Sequence, residues 1–335
     1  MIFSVVIAVR NEVKYIEKCI ESIFSQDYKK SFEVLVVDGM SSDGTYELLK
    51  KLQNKYDFKL FRNPKINAAA GRNIGIKNSD GEHIAFIDGD AVANRDWLSQ
   101  IKRVFDENNV AGVGGPDLLP EDSSDKARNI GRIMTSPLAR GGKLNPSTQH
   151  SMMEEEKYVE HIPTCNLSLK REVFNKVGMF DENFIKGQDL ELNFRIINAG
   201  YKLLYSPKIK VVHYRKQSYR SFSRQIFKWA KAKVAIIKKH GFHDIVSHVY
   251  LWPVYGLVAL ILSFTICYFL SLQLYVLLLI IGVIGYISII FIESVNLAKK
   301  FNEKKLAVYG LLLFPIVHIS YFLGVLSAIV RKNIW

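Results

Sequence analysis

Cysteine is scarce in this chain. Cys19, Cys165 and Cys267 are the three in 335 residues, and they are far apart, odd in number and without the paired spacing of a disulfide framework or a zinc site. A reducing compartment fits that usage. Acidic residues are nearly missing from Tyr201 to Ile245, where twelve Lys or Arg stand against one acid, Asp244, so this segment holds most of the +13 formal charge. Such a basic stripe suits nucleic acid or anionic lipid head groups. Because it lies directly ahead of apolar segments, it points to the membrane surface and away from nucleic acid. Long apolar runs are absent from the first two thirds, and no basic-then-apolar leader precedes the strand that begins at Ile2. The expectation is a soluble N-terminal part that is not exported as a cleaved precursor, with membrane insertion left to the last third.

What is present begins with strands that alternate with helices. Ile2–Val9, Phe32–Asp38, Phe58–Phe61 and Ile84–Ile87 read as strands. Between them lie helical patterns around Ile16, Ile20 and Ile23, around Leu48, Leu49 and Leu52, and over Ala68–Ile76. This alternation predicts a parallel, doubly wound sheet, in which ligands bind beyond the carboxyl ends of the strands. Acidic residues stand at those ends. Asp88 and Asp90, separated by Gly89, follow an apolar run of the kind buried on both sheet faces. Two hard oxygens so placed suit Mg2+ or Mn2+ shared with substrate phosphates, or else a turn and cap ahead of Asp96, Trp97 and Leu98. Glu12, Asp38 and Asp88 can meet in one crevice and accept hydrogen bonds from a ribose or a base, with Arg72 facing a phosphate or the base. Each singly also reads as a solvated loop charge. Leu190, Phe194 and Ile197 have helical spacing, which puts Asp189 in a first turn where it either caps the helix or is held as a reactive anion. His213 ends an apolar strand and is either a metal ligand or a packed histidine.

The segments VVIAVRNE, VLVVDGMSSDGT, AAAGRNIGI and GEHIAFIDGDA, in that order, resemble the successive signatures of family-2 glycosyltransferases with the GT-A fold. The resemblance covers roughly Ile2 to Tyr214. It implies a Rossmann-like, mostly parallel α/β domain that uses a UDP- or GDP-linked sugar as donor. By the same resemblance Arg10, Glu12, Asp38, Arg72 and Asp88 bind the nucleotide, Asp88 and Asp90 hold the metal with His213 closing its coordination, and Asp189 is the catalytic base. Three local departures stand out. Val9-Arg10-Asn11-Glu12 replaces the usual Pro-x-Tyr-Asn-Glu, Gln188 replaces the Glu usual before the base, and Lys228 replaces the Arg of a Gln-x-x-Arg-Trp motif known from polysaccharide synthases, here Gln225 to Trp229. A lysine lacks the planar fork of that arginine.

We divide the chain into a GT-A domain (1–217), a basic amphipathic interfacial helix (218–245) and an all-α transmembrane region (246–335). Asp117–Glu160 has mixed polarity and no firm structural reading; Arg140, Gly141 and Gly142 fit a lid or a solvated loop equally. Phe222, Ile226, Ala230, Val234 and Ile237 line one side of the interfacial helix, and Arg220, Arg224, Lys228, Lys231 and Lys238 lie mostly elsewhere. Val249–Leu270, Leu272–Ile292 and Leu306–Val330 are each near the ~20 residues that span a bilayer. Lys299, Lys300, Lys304 and Lys305 place the second connection, and with it the catalytic domain, in the cytoplasm; Arg331 and Lys332 then end on the far side, against the same rule. The expected function is inverting, metal-dependent transfer of one sugar to a polyprenyl-diphosphate-linked acceptor. The alternatives are a polyprenyl-phosphate glycosyltransferase, a processive synthase acting as a homo-oligomer, or a protein that only binds a nucleotide sugar.

Overall fold

The computed structural model describes residues 2–140, 153–214, 218–242, 251–270 and 272–330. In chain order the first elements are β1 (Phe3–Val9), α1 (Ile16–Phe24), β2 (Phe32–Asp38), α2 (Thr45–Leu52), β3 (Lys59–Arg62), α3 (Ala68–Lys77) and β4 (His83–Asp88). Next come β5 (Ala91–Ala93), α4 (Trp97–Glu107), β6 (Gly112–Gly114), β7 (Asp117–Leu118), α5 (Asp125–Ile133), α6 (Pro137–Arg140), β8 (Lys157–Val159) and β9 (Asn166–Lys170). The remainder comprises α7 (Arg171–Val177), α8 (Gln188–Asn198), β10 (Leu203–Tyr205), β11 (Val211–His213), α9 (Tyr219–His240), α10 (Trp252–Leu270), α11 (Leu272–Lys300) and α12 (Leu306–Val330). Two compact units result, one from Met1–Asp122 with Asn145–Arg215 and one from Ser123–Leu144 with Lys216–Trp335.

In the first unit an eight-stranded sheet runs β3-β2-β1-β4-β9-β6-β10-β8. β1 is buried on both faces: Val5, Ile7 and Val9 pack with Ile16, Ile20 and Trp97 on one side, while Val6 joins Leu35, Phe86 and Ala69 on the other. Helices thus cover both faces, as expected. The first four strands are mutually parallel, but β9 is antiparallel to both β4 and β6. This is a mixed sheet with mostly parallel strands, and the reversal matters for position. Asn166, the first residue of β9, pairs with Ile87 at the carboxyl end of β4, so the connection into β9 arrives at the ligand edge. Asn166 is buried and fixed there, accepting from Trp97 Nε1 at 2.8 Å and donating to the carbonyls of Pro116 and Ile209. A small second sheet, β5-β11-β7, sets His213 opposite Ala91.

The second unit is helical. α5 begins at Ser124, whose side chain accepts from Ala127 N at 3.2 Å, and it supplies structure to part of the stretch for which sequence gave no reading. Gly141 and Gly142 lie outside the described residues. α9 opens with a capping box between Ser218 and Ser221. Its apolar side, Phe222, Ile226, Ala230 and Val234, is buried against α12 residues including Phe314, Val317, Val325 and Ala328. α10, α11 and α12 occupy the three expected apolar segments, and α11 continues as a helix to Lys300. Two stretches, Gln273–Lys300 and Leu306–Val330, are long and apolar enough to cross a membrane.

Candidate active site

The carboxyl ends of β1, β2 and β4 bring the acidic residues of three separate motifs to one edge. Register sets them side by side: Val9 pairs with Asp38, Ala8 with Asp88, and Asp38 with Arg62. The loops leaving β1 and β2 are locked together, since Asn11 N donates to Ser41 Oγ, Asn11 Oδ1 accepts from Ser42 N, and Glu12 N donates to Thr45 Oγ1, each at 2.9 Å. Asn11 adopts a left-handed backbone (φ 57°), a conformation that asparagine tolerates better than most residues. Arg10 projects into solvent beside Gly39 and does not join the buried group.

Asp38 is wholly buried. Its Oδ2 accepts from Ser41 N at 3.1 Å and faces Arg62 at 3.2 Å, while Oδ1 has no protein partner. Arg72, also buried, donates from Nη2 to Asp88 Oδ1 at 2.9 Å, and its Nη1 likewise has no protein partner. A buried acceptor and a buried donor left in this state are costly unless a ligand completes them.

Asp88, Asp90 and His213 offer ligand atoms that lie within 4.8 Å of one another. His213 Nε2 is 3.1 Å from Asp90 Oδ1, and its Nδ1 is 3.5 Å from Asp117 Oδ2. Burial works against a proton on this imidazole, but hydrogen bonds to Asp90 and Cys165 and the charge of Asp90 prevail and raise its pKa well above the ordinary histidine range. Two carboxylates and an imidazole fit the tastes of Mn2+ or Mg2+. The β11 strand is pinned by Tyr214, whose N–H donates to Asp90 O at 2.8 Å and whose ring stacks on Tyr15 at 4.9 Å.

Asp189 lies in the first turn of α8, after Gly187 in the left-handed region. Burial pushes its carboxyl up, yet the His161 imidazole, Arg72 and the Leu190 N–H together bring it down to about 2. His161 Nε2 is 3.7 Å from Asp189 Oδ2. The electrostatic reach of Arg72 to both Asp88 and Asp189 puts the two acidic centres in one neighbourhood. Gln188 beside Asp189 is buried.

Sequence reasoning passed over Asp117, Cys165 and His161. Asp117 and Cys165 join His213 in a second group whose ligand atoms also lie within 4.8 Å of one another. The only local sign was the strand-then-turn run Gly114-Gly115-Pro116 ahead of Asp117.

Comparison with known proteins converges. Residues 4–178 match the family described as Glycosyl transferase family 2. Over 98% of its length the chain is 30% identical to a Methanococcus voltae protein named dolichyl N-acetyl-alpha-D-glucosaminyl phosphate 3-beta-D-2,3-diacetamido-2,3-dideoxy-beta-D-glucuronosyltransferase, and spans 98% of it. It is 31% identical, over 63% of its length, to glycosyltransferase AglE of Haloferax volcanii, spanning 66% of that protein. Mannosyltransferase PcManGT from Pyrobaculum calidifontis, solved in complex with GDP-Man and Mn2+, has the same fold: TM-score 0.60 at 18% identity, covering 98% of this chain and 87% of that one. On the extent of these matches, the chain belongs to glycosyl transferase family 2 and is a glycosyltransferase.

Proposed function

We propose that the enzyme transfers one sugar, with inversion and with the help of Mg2+ or Mn2+, from a nucleotide-sugar donor to a lipid-linked acceptor at the cytoplasmic face of a membrane. The observation that carries this reading is the grouping of Asp88, Asp90 and His213 on the strand edge where Asp38 and Arg72 each keep a buried polar atom without a protein partner. Asp38 Oδ1 would accept an N–H of the base, and Arg72 Nη1 would donate to a diphosphate oxygen. Asp88, Asp90 and His213 would hold the cation, which when bound neutralises charge gathering on the departing diphosphate. Asp189 would take the proton of the acceptor hydroxyl as its oxygen bonds to the anomeric carbon; the bond to the nucleoside diphosphate breaks on the opposite side, hence inversion.

A base is dispensable for a polyprenyl phosphate, which is already ionised near neutral pH. Asp189 therefore favours a sugar hydroxyl, borne by a polyprenyl-diphosphate-linked glycan. The name of the Methanococcus voltae relative, a glucuronosyltransferase acting on dolichyl N-acetylglucosaminyl phosphate, supports a lipid-linked sugar as acceptor. Lys299, Lys300, Lys304 and Lys305 support the cytoplasmic placement. The test is to screen UDP- and GDP-sugars for turnover with a membrane lipid extract and to determine the anomeric configuration of the product. A single added sugar of inverted configuration is expected; a product ladder would point to a processive synthase, and purified polyprenyl phosphate as the preferred acceptor would overturn the hydroxyl assignment.

A further inference from the structure

We propose that α12 does not cross the bilayer. It lies beside α9 in the interfacial plane, across the base of a transmembrane hairpin made by α10 and α11, with its outward apolar row against acyl chains and the cations of α9 at anionic head groups.

The hairpin comes first. A single residue separates α10 from α11, and the rings of Phe264 and Tyr275 meet at 5.4 Å across that connection. The start of α10 and the end of α11 therefore share one end of the hairpin. Both ends of α12 are found there. Near its beginning, a Cβ on Gly310 would stand 1.9 Å from Ser294 Oγ, in the last turns of α11. Near its end, Val325 and Ala328 share an apolar cluster with Ala230 and Val234 of α9, and Leu251 and Val254, at the start of α10, pack against that cluster. A helix that crossed beside the hairpin would have one end at each membrane face.

α9 makes the same argument in charge. Its contacts with α12 advance in one direction along both helices: Ser223 Oγ to Ser320 Oγ at 2.8 Å, Gly324 against Phe227 and Ala230, and Lys238 Nζ donating to Ala328 O at 2.8 Å. Wherever α12 goes, α9 goes too. α9 holds seven cations, Arg220, Arg224, Lys228, Lys231, Lys233, Lys238 and Lys239, and no acid. Hydrocarbon rejects such charges, whereas an anionic interface attracts them. α12 is itself two-faced. Its inner side is buried, and Val308, Leu312, Ile319, Leu323 and Val330 are exposed at alternating steps of four and seven residues, a single outward stripe.

The test uses the full chain with Cys267→Ala; Cys19 and Cys165 are buried. Glu303→Cys and Lys332→Cys are made singly and treated with a membrane-impermeant maleimide in intact cells and in inverted vesicles. Both positions are expected to react in inverted vesicles only. Reaction of the two from opposite faces would overturn the proposal, while reaction of both in intact cells only would keep α12 in plane and overturn the cytoplasmic placement instead. Spin labels at Val308 and Ile319, read by accessibility to oxygen against a water-soluble nickel chelate, are both expected to report depths well short of the bilayer centre. A label at Ile319 found near the bilayer centre would also overturn it.

Discussion

Asp189 is held ionised by its neighbours against the pull of burial. Its pKa of about 2 lies below the ordinary 3.8, so its ionisation adds stability that is complete above the ordinary value and is lost as pH falls through the lower one. Across the neutral range it is a carboxylate ready to accept a proton. Asp189→Asn can still stand in the helix's first turn, so we expect transfer to fall by at least about 100-fold while donor binding, measured by calorimetry, persists. Wild-type turnover in that variant would reject the base. His161 supplies the leading influence that lowers the carboxyl, and His161→Gln is expected to move the acid limb of the kcat/KM profile to higher pH. An unmoved limb would show that His161 only fills space. At the proposed cation site, Asp90→Asn removes charge without changing volume; Mn2+ affinity, followed by electron paramagnetic resonance, should drop together with metal-stimulated transfer. Unaltered Mn2+ binding would exclude Asp90 as a ligand. Asp88, Asp90, Asp189 and His213 could be proposed from the chain because Asp88 and His213 end strands, Asp90 follows β4 by two residues and Asp189 stands in the first turn of α8. Asp117, Cys165 and His161 could not, since their place depends on β7 and β9 arriving from the far side of the sheet.

Among elements, the α9–α12 seam depends on a missing side chain. A Cβ on Gly324 would stand 2.5 Å from Phe227 O and 2.7 Å from Ala230 Cβ, so the two helices approach backbone to backbone. Gly324→Val should destabilise the second unit by about 1–3 kcal/mol, the usual cost of overpacking, visible as a lower Tm in detergent. An unchanged Tm would mean that the seam opens without loss. The apolar side of α9 was legible from its spacing, but its partner was not: the same spacing suits lipid or a neighbouring helix, and here α12 takes it. Alternation of strand and helix likewise revealed a doubly wound sheet, whereas the direction of β9 stayed hidden, because a period of two reads the same from either end. The helix α5 was missed in a polar stretch where Ser124, three residues ahead of Ala127, was the available sign.

For the molecule as a whole, the balance between an α/β unit and an apolar helical one fixes how it is handled. The outward faces of α11, from Leu274 to Ile292, are almost entirely apolar and exposed. We expect the full chain to stay with membranes through high salt and alkaline carbonate and to leave them only in detergent, as fractionation and immunoblotting would show. Release by salt alone would reduce the attachment to the cations of α9. The place of β9 in the sheet has another effect, in time. Synthesis delivers β1 to β4 early, but the outer edge of β4 waits for residues 166–170, which stand between it and β6 in the sheet. Until then the nascent chain shows an open strand edge flanked by Ile84 and Phe86, an invitation to pair with the wrong neighbour. A ribosome that pauses before residues 166–170 have left its exit tunnel therefore exposes the newborn enzyme to aggregation more than one that pauses afterwards.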